Sequence, residues 1–366
     1  MRNLALHSDP KLPNPFKFVD GSYVKNKKDW QCRQEEVSAL FQRYELGTKP
    51  PRPDRVSASF SSPNLTITLT EAGKSLTFTP TISYPANGTA PYPAIIAFDG
   101  LSIPRPAGAA VITFAVSQFA QQNGPQSRGV GQFYDLYGSN ATASALMAWA
   151  YGVSRIIDAL EMTPSAKINP RKLAVTGCSR NGKGAMVAGA FDSRIALTIP
   201  QESGSGGDAC WRLSDADLAL GYVVQTASEI VGENVWFSES FNQFANHTDL
   251  LPFDHHQLAG LIAPRGLYAT DNLDFVWLGI NATYGCMKTA KLIFEAVGAP
   301  DHIGFSQDGN HSHCTFPPDQ VGEITAFYDK FLFDEPANTN VLRTDGNYTF
   351  NESYWVDWSI PRARLY

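Results

Sequence analysis

Apolar residues along this chain fall into short blocks separated by turn residues and by longer amphipathic stretches, and that alternation predicts the fold. Pro93–Gly100 and Ala109–Phe114 are runs of small and β-branched residues bounded by Gly or Pro, the signature of strands buried on both faces. Lys172–Thr176, Arg194–Pro200, Gly266–Thr270 and Ile303–Ser306 read the same way, with the last of these as the final strand. Between them, Leu146, Trp149, Val153, Ile156 and Leu160 recur three or four apart and predict a helix over 142–160. Further helices are expected over 282–296 and 318–332. Alternating Ser, Thr and apolar residues over 55–85 predict antiparallel edge strands with exposed outer faces. Residues 1–55 are rich in Pro, Lys and Asn, carry one helical patch from Gln31 to Tyr44, and read as an arm wrapped around a single domain spanning 1–366. Strand and helix in turn mean a mainly parallel sheet in a three-layer α-β-α sandwich, with its chemistry at the carboxyl ends of the strands.

Composition narrows the classes. Of 366 residues, 43% are hydrophobic, enough for a sizeable core. The formal charge of −6, with Lys and Arg scattered, argues against a nucleic-acid partner. No run of about 18 apolar residues offers a membrane span. Neither an internal repeat nor a Ser/Thr-rich linker to a carbohydrate-binding module is evident. Eight Asn-x-Ser/Thr acceptors, at Asn64, Asn87, Asn140, Asn246, Asn281, Asn310, Asn347 and Asn351, exceed the two or three that chance would give and predict secretion to the extracellular space. The apolar stretch within Met1–Pro10 is too short for a signal peptide, so an upstream segment with a leader is expected.

Five cysteines make an odd set: Cys32, Cys178, Cys210, Cys286 and Cys314. Pairing Cys178 with Cys314 would tie together two elements that carry chemistry, described next. Cys210–Cys286 is the second expected pair, which leaves Cys32 alone.

The chemistry centres on Gly177-Cys178-Ser179-Arg180-Asn181-Gly182-Lys183. A buried strand runs into a serine, followed by a helix of small residues able to lie close on a sheet. The hydrolase elbow is usually Gly-x-Ser-x-Gly; here the second glycine comes one residue late. A serine nucleophile needs a base, and a carboxylate to hold that base in one tautomer, in chain order Ser, acid, His for this fold type. His313 is the favoured base, with His311 and His302 as alternatives, while His255 and His256 read as a structural turn. Glu202, closing one strand, competes with Asp271 or Asp274, closing the next, and spacing leaves that choice open. His and Cys lack zinc-ligand spacing and no Gly-rich phosphate loop is present, so no metal or cofactor is expected.

Gly-Cys-Ser-Arg-Asn-Gly-Lys-Gly from Gly177, Gln201-Glu202-Ser203-Gly204, Phe253-Asp254-His255-His256 and the final His313-Cys314-Thr315-Phe316 resemble the fungal glucuronoyl esterases of carbohydrate esterase family 15. The resemblance runs over nearly the whole chain. It implies an α/β-hydrolase fold and hydrolysis of the ester between 4-O-methyl-D-glucuronic acid of glucuronoxylan and lignin alcohols. It further implies Ser179 as nucleophile, His313 as base, Glu202 as acid, Arg180 in the oxyanion hole, and Lys183, Gln225, Glu233 and Trp277 on the sugar. The family's half-cystines also match, with the usual partner of Cys32 missing. A monomer is expected. The rival readings are an acetyl xylan or general carboxylesterase of the same fold, and a glycan-binding protein without turnover.

Overall fold

Eleven strands form one sheet in the order β1-β2-β4-β6-β5-β7-β8-β9-β10-β11, with β3 hydrogen-bonded to β2 off that path. The computed structural model describes residues 4–346, 348, 350–362 and 365. One edge is antiparallel: β1 (Arg55–Ser61), β2 (Asn64–Glu71), β3 (Lys74–Phe78) and β4 (Thr81–Ser83). Leu65, Ile67 and Leu69 of β2 point inward while β1 alternates between exposed and half-covered positions, the pattern of a sheet with one solvated face. Then β5 (Tyr92–Phe98), β6 (Ala110–Phe114), β7 (Ile168–Cys178), β8 (Leu197–Gln201), β9 (Gly266–Asn272) and β10 (Ile303–Asp308) pair in parallel. Helices Ala145–Met162, Arg180–Phe191, His255–Ile262, Ile280–Ala296 and Val321–Leu332 cover the sheet. This is the α/β-hydrolase sandwich that the strand–helix alternation and the family resemblance led one to expect.

Four expectations need correction. Ile303–Ser306 is not the last strand: β11 (Leu342–Thr344) adds in parallel to β10, held by Arg343, whose guanidinium reaches Glu323 at 2.9 Å. The strand expected over 194–200 starts only at Leu197, because Arg194 folds back on Asp192 and Asp158 and closes a turn. Pro170 does not bound the nucleophile strand, which begins at Ile168; the register with β5 shifts there instead, where proline has no N–H to offer. His255 and His256 open a helix rather than a turn, with Asp254 as its N-cap.

The helical patch near the N-terminus covers Lys27–Phe41 and continues as a π-helical turn, Gln42–Leu46. Before it, the chain buries Leu12, Phe16 and Val24. The Leu12 carbonyl accepts from Trp358 Nε1 at 2.9 Å, Leu12 N–H donates to the Trp355 carbonyl at 3.1 Å, and the Phe16 ring lies 5.8 Å from that of Trp358. The two ends of the chain are thus interlocked. Pro13 contributes a carbonyl to the His256 ring at 2.9 Å, which fastens the same region to the helix His255–Ile262.

Candidate active site

At the end of β7, Ser179 adopts φ 59° and ψ −127°, a conformation that L side chains rarely tolerate. The constraint comes from both sides. A Cβ at Gly177 would lie 2.5 Å from the Asn181 carbonyl oxygen, and one at Gly182 would lie 2.8 Å from the Gln201 carbonyl oxygen. The late second glycine is therefore the residue that lets this helix start against β8. Asn181, in the position a glycine usually holds, is half-buried and donates from Nδ2 to the Phe98 carbonyl at 3.2 Å. Ser179 N–H donates to the Gln201 carbonyl at 2.9 Å, and the helix Arg180–Phe191 begins with the next residue. Its first-turn N–H groups have no partner within the helix and face the serine with the positive end of the dipole.

Glu202 follows β8 with φ 46° and is 1% exposed. Its Oε2 lies 2.5 Å from His313 Nδ1, and its Oε1 accepts from Cys314 N–H at 3.0 Å. Asn272 Nδ2 approaches Oε2 at 3.5 Å and donates to the His311 carbonyl at 3.0 Å, so it braces the carboxylate and the histidine loop together. Asn272 drew no attention in the sequence because an amide at a strand end is common; only its two partners reveal the role. With Nδ1 turned to Glu202, Nε2 is the nitrogen of His313 left for proton transfer. None of the other candidates makes this contact. His311 Nδ1 is 4.0 Å from Glu202, and His302 Nδ1 meets the Pro264 carbonyl. Asp271 accepts from Gln307 Nε2 at 3.0 Å, and Asp274 from Asn310 N–H at 2.6 Å.

Cys178 and Cys314 are bonded, with Cα atoms 5.7 Å apart, so the residues next to the serine and next to His313 are covalently joined. Closing a loop over a sequence separation of 136 restricts the unfolded chain by roughly 4–5 kcal/mol in the loop-entropy account. Cys210–Cys286 is the second disulfide, and Cys32 is free and exposed. Cys178, His313 and Cys314 bring potential metal donors close together, but the two sulfurs are bonded to each other and neither is a thiolate.

Beside the serine lies a polar wall. Lys183 is 2% exposed, and its Nζ reaches the carbonyls of Ser203 at 2.6 Å and Ser205 at 2.7 Å and the Gln225 Oε1 at 3.4 Å. Three acceptors use all three of its protons, so Lys183 shapes the wall, and only the longest of these contacts is weak enough for a ligand to replace. Burial lowers its pKa to about 8 against the pull of Asp208 and Glu233. Gln225 Nε2 in turn donates to Glu233 Oε2 at 2.5 Å. Glu233 is raised by burial and then by Glu229, while Lys183 and Arg180 draw it back. Trp277, half-buried, accepts at its carbonyl from Gln225 N–H at 2.9 Å. Arg180 is exposed, and its guanidinium makes no ion pair among the described residues, so its charge is open to a ligand.

Behind that wall, burial and then repulsion from Asp271 raise Asp208 to about 7, and burial raises Asp271 to about 6. These carboxyls hold protons in the folded state that the unfolded chain releases near pH 4, so their contribution to stability falls as pH rises from about 4 through 7. Thermal unfolding of Asp208→Asn between pH 4 and 8 should decline less steeply than that of the unaltered protein; equal slopes would remove Asp208 from the account.

The Phe253-Asp254-His255-His256 stretch belongs to the core. Asp254 Oδ1 caps Trp211 N–H and His255 N–H, both at 2.8 Å, and its Oδ2 pairs with Arg212 at 3.1 Å.

Comparison with known proteins identifies the family. Residues 67–298 match the family described as glucuronyl esterase, fungi. The 4-O-methyl-glucuronoyl methylesterase of Hypocrea jecorina is 54% identical over 98% of this chain and 77% of its own length. That of Phanerochaete carnosa is 53% identical over 97% and 89%. Among solved structures, the glucuronoyl esterase catalytic domain from Hypocrea jecorina superposes with TM-score 0.97 at 53% identity, covering 99% of each chain. A mutant glucuronoyl esterase from Sporotrichum thermophile, in complex with methyl 4-O-methyl-β-D-glucopyranuronate, gives TM-score 0.96 at 44% identity, covering 100% of this chain and 99% of its own. With an elbow serine, a glutamate-bound histidine and relatives this similar along nearly its whole length, the chain belongs to the fungal glucuronoyl esterases.

Proposed function

We propose that the protein hydrolyses the ester between 4-O-methyl-D-glucuronic acid of glucuronoxylan and a lignin alcohol, through a covalent glucuronoyl–enzyme formed on Ser179. The observation that carries the reading is the 2.5 Å contact between His313 Nδ1 and Glu202, anchored beside Ser179 by the Cys178–Cys314 bond. In the first half-reaction His313 Nε2 takes the Ser179 proton as Oγ bonds to the uronoyl carbonyl carbon. The resulting oxyanion meets the Arg180 N–H at the start of its helix and the unpaired Arg180 guanidinium; removing one such donor typically costs about 2.7–4 kcal/mol of transition-state stabilisation. His313 then gives its proton to the leaving alkoxide as the carbon–oxygen bond breaks. Water repeats the sequence on the acyl-enzyme and releases the acid, with Glu202 holding the imidazole in one tautomer throughout.

For the sugar, Glu233 accepts from hydroxyls, Gln225 offers both donor and acceptor, Lys183 orders them both, and Trp277 supplies a flat apolar face with an indole N–H. The test is a comparison of methyl 4-O-methyl-D-glucuronate with methyl D-galacturonate, which differ at the fourth carbon. The glucuronate should be favoured in kcat/KM by at least about tenfold. Equal rates on the two, or faster turnover of short-chain acetyl and nitrophenyl esters, would point to a general carboxylesterase instead.

We also read the protein as extracellular and monomeric. Six acceptor asparagines, Asn64, Asn87, Asn140, Asn246, Asn310 and Asn351, are exposed, Asn281 is half-buried, and Asn347 lies outside the described residues. Two disulfides support an oxidising compartment, and among the described residues no helix is long and apolar enough to cross a membrane.

A further inference from the structure

Phe275 stacks flat on the His313 imidazole, with ring centroids 4.3 Å apart and planes 11° from parallel, yet 38% of the residue remains exposed. Nothing about Phe275 is explained by core packing. Its neighbours Asp274 and Val276 are exposed too, and it stands in the turn between β9 and the helix Ile280–Ala296. That turn is firmly held. Phe275 N–H donates to the Asn272 carbonyl at 3.1 Å, and Leu278 N–H to the Phe275 carbonyl at 2.9 Å. Asp274 takes the Asn310 N–H at 2.6 Å, and Leu273 N–H donates to the Asp308 carbonyl at 2.9 Å, so the turn is latched to the loop that carries the histidine. Two residues on, the Trp277 carbonyl receives Gln225 N–H from the sugar-facing wall. One short turn therefore borders both the uronate pocket and the base.

The chemistry states what meets this ring. The leaving oxygen must come within about 3 Å of His313 Nε2 to collect its proton. Whatever carbon skeleton that oxygen carries is then brought against the imidazole, and one face of the imidazole is already covered by Phe275. The uronate lies on the other side of the breaking bond, so the exposed part of the phenyl ring is available to the alcohol and not to the sugar. An aliphatic stub such as methyl is too short to reach past the imidazole. A benzylic or phenylpropyl group is long enough, and its ring gains an offset or edge contact with Phe275 that a small alcohol lacks.

We propose that Phe275 is a specificity-determining residue for the leaving alcohol, an apolar platform that selects esters of aryl-bearing alcohols over esters of small ones. The inference rests on the esterase reading above, with His313 as the group that protonates the leaving oxygen. It concerns acylation alone, since the alcohol has gone by the time water attacks, and kcat/KM reports that step.

The test uses the whole chain and two esters that share one acyl group, methyl and benzyl D-glucuronate, with Phe275→Ala and Phe275→Tyr. The benzyl-to-methyl ratio of kcat/KM should fall about tenfold in Phe275→Ala and stay within about twofold of the unaltered protein in Phe275→Tyr, which keeps the ring. A ratio that does not change in Phe275→Ala overturns the proposal. If both esters lose rate equally, Phe275 only steadies the imidazole; if neither does, it does nothing to the reaction. Failure of the unaltered protein to cleave either ester would instead sink the esterase reading itself. A second readout runs the step backwards. With methyl glucuronate as acyl donor, benzyl alcohol should capture the acyl-enzyme as benzyl ester in competition with water, and Phe275→Ala should lower that capture several-fold. Undiminished capture would also overturn the proposal.

Discussion

Replacing Ser179 with alanine should lower kcat on benzyl glucuronate by about 10⁴- to 10⁶-fold, leaving only what the oxyanion donors and substrate binding provide. The change is clean because the hydroxyl makes no hydrogen bond among the described residues, while the backbone at 179 is held independently. Its N–H donates to the Gln201 carbonyl at 2.9 Å and its carbonyl accepts from Lys183 N–H at 3.0 Å. Alanine suffers the same backbone strain at φ 59° as serine does, so unfolding should be nearly unaltered. Release of benzyl alcohol, measured beside a thermal unfolding curve, separates loss of chemistry from loss of fold. A variant that keeps more than about 1% of the rate would mean that another group attacks the ester.

The second large effect is expected at Glu202. A glutamine there has nearly the same shape but one oxygen fewer, and the structure dictates which way its amide must turn. Cys314 N–H donates to Oε1 at 3.0 Å, so that position must remain oxygen. The amide NH₂ then occupies the place of Oε2, 2.5 Å from His313 Nδ1, and donates where the carboxylate accepted. The imidazole is driven into the opposite tautomer, with its proton on Nε2, and can no longer take the serine proton. Loss of kcat/KM by about 10³- to 10⁴-fold follows. Asp271→Asn, which leaves the His313 contact untouched, should cost less than about tenfold on the same ester. Glu202→Gln within tenfold of the unaltered protein would return the acid role to one of the aspartates.

That contest shows where sequence reading runs out. Glu202 and Asp271 close neighbouring parallel strands, and Glu202 N–H even donates to the Thr270 carbonyl at 2.7 Å, so both are placed at the right end of the sheet. What separates them is side-chain direction: Asp271 turns to Gln307 and Glu202 to the histidine loop. Spacing carries no trace of that. The nucleophile strand was legible because a buried strand followed by a helix of small residues leaves few alternatives. β11 was not, since Leu342-Arg343-Thr344 has one apolar residue and owes its place to β10 and Glu323. Lys183 is named only by the family resemblance, and only the structure assigns its protons to Ser203, Ser205 and Gln225. Phe275 gives no signal, because one more apolar residue in Leu273-Asp274-Phe275-Val276-Trp277-Leu278 does not say which side chain meets the base.

The bond between Cys178 and Cys314 has a mechanical consequence. The loop that bears the imidazole is tethered to the strand that bears the nucleophile, so a pull on the C-terminal quarter of the chain, from heat or from a heavy polymer dragging on the surface, displaces both reactants as one body. The distance that must be kept for turnover is insulated from the motion of everything around it.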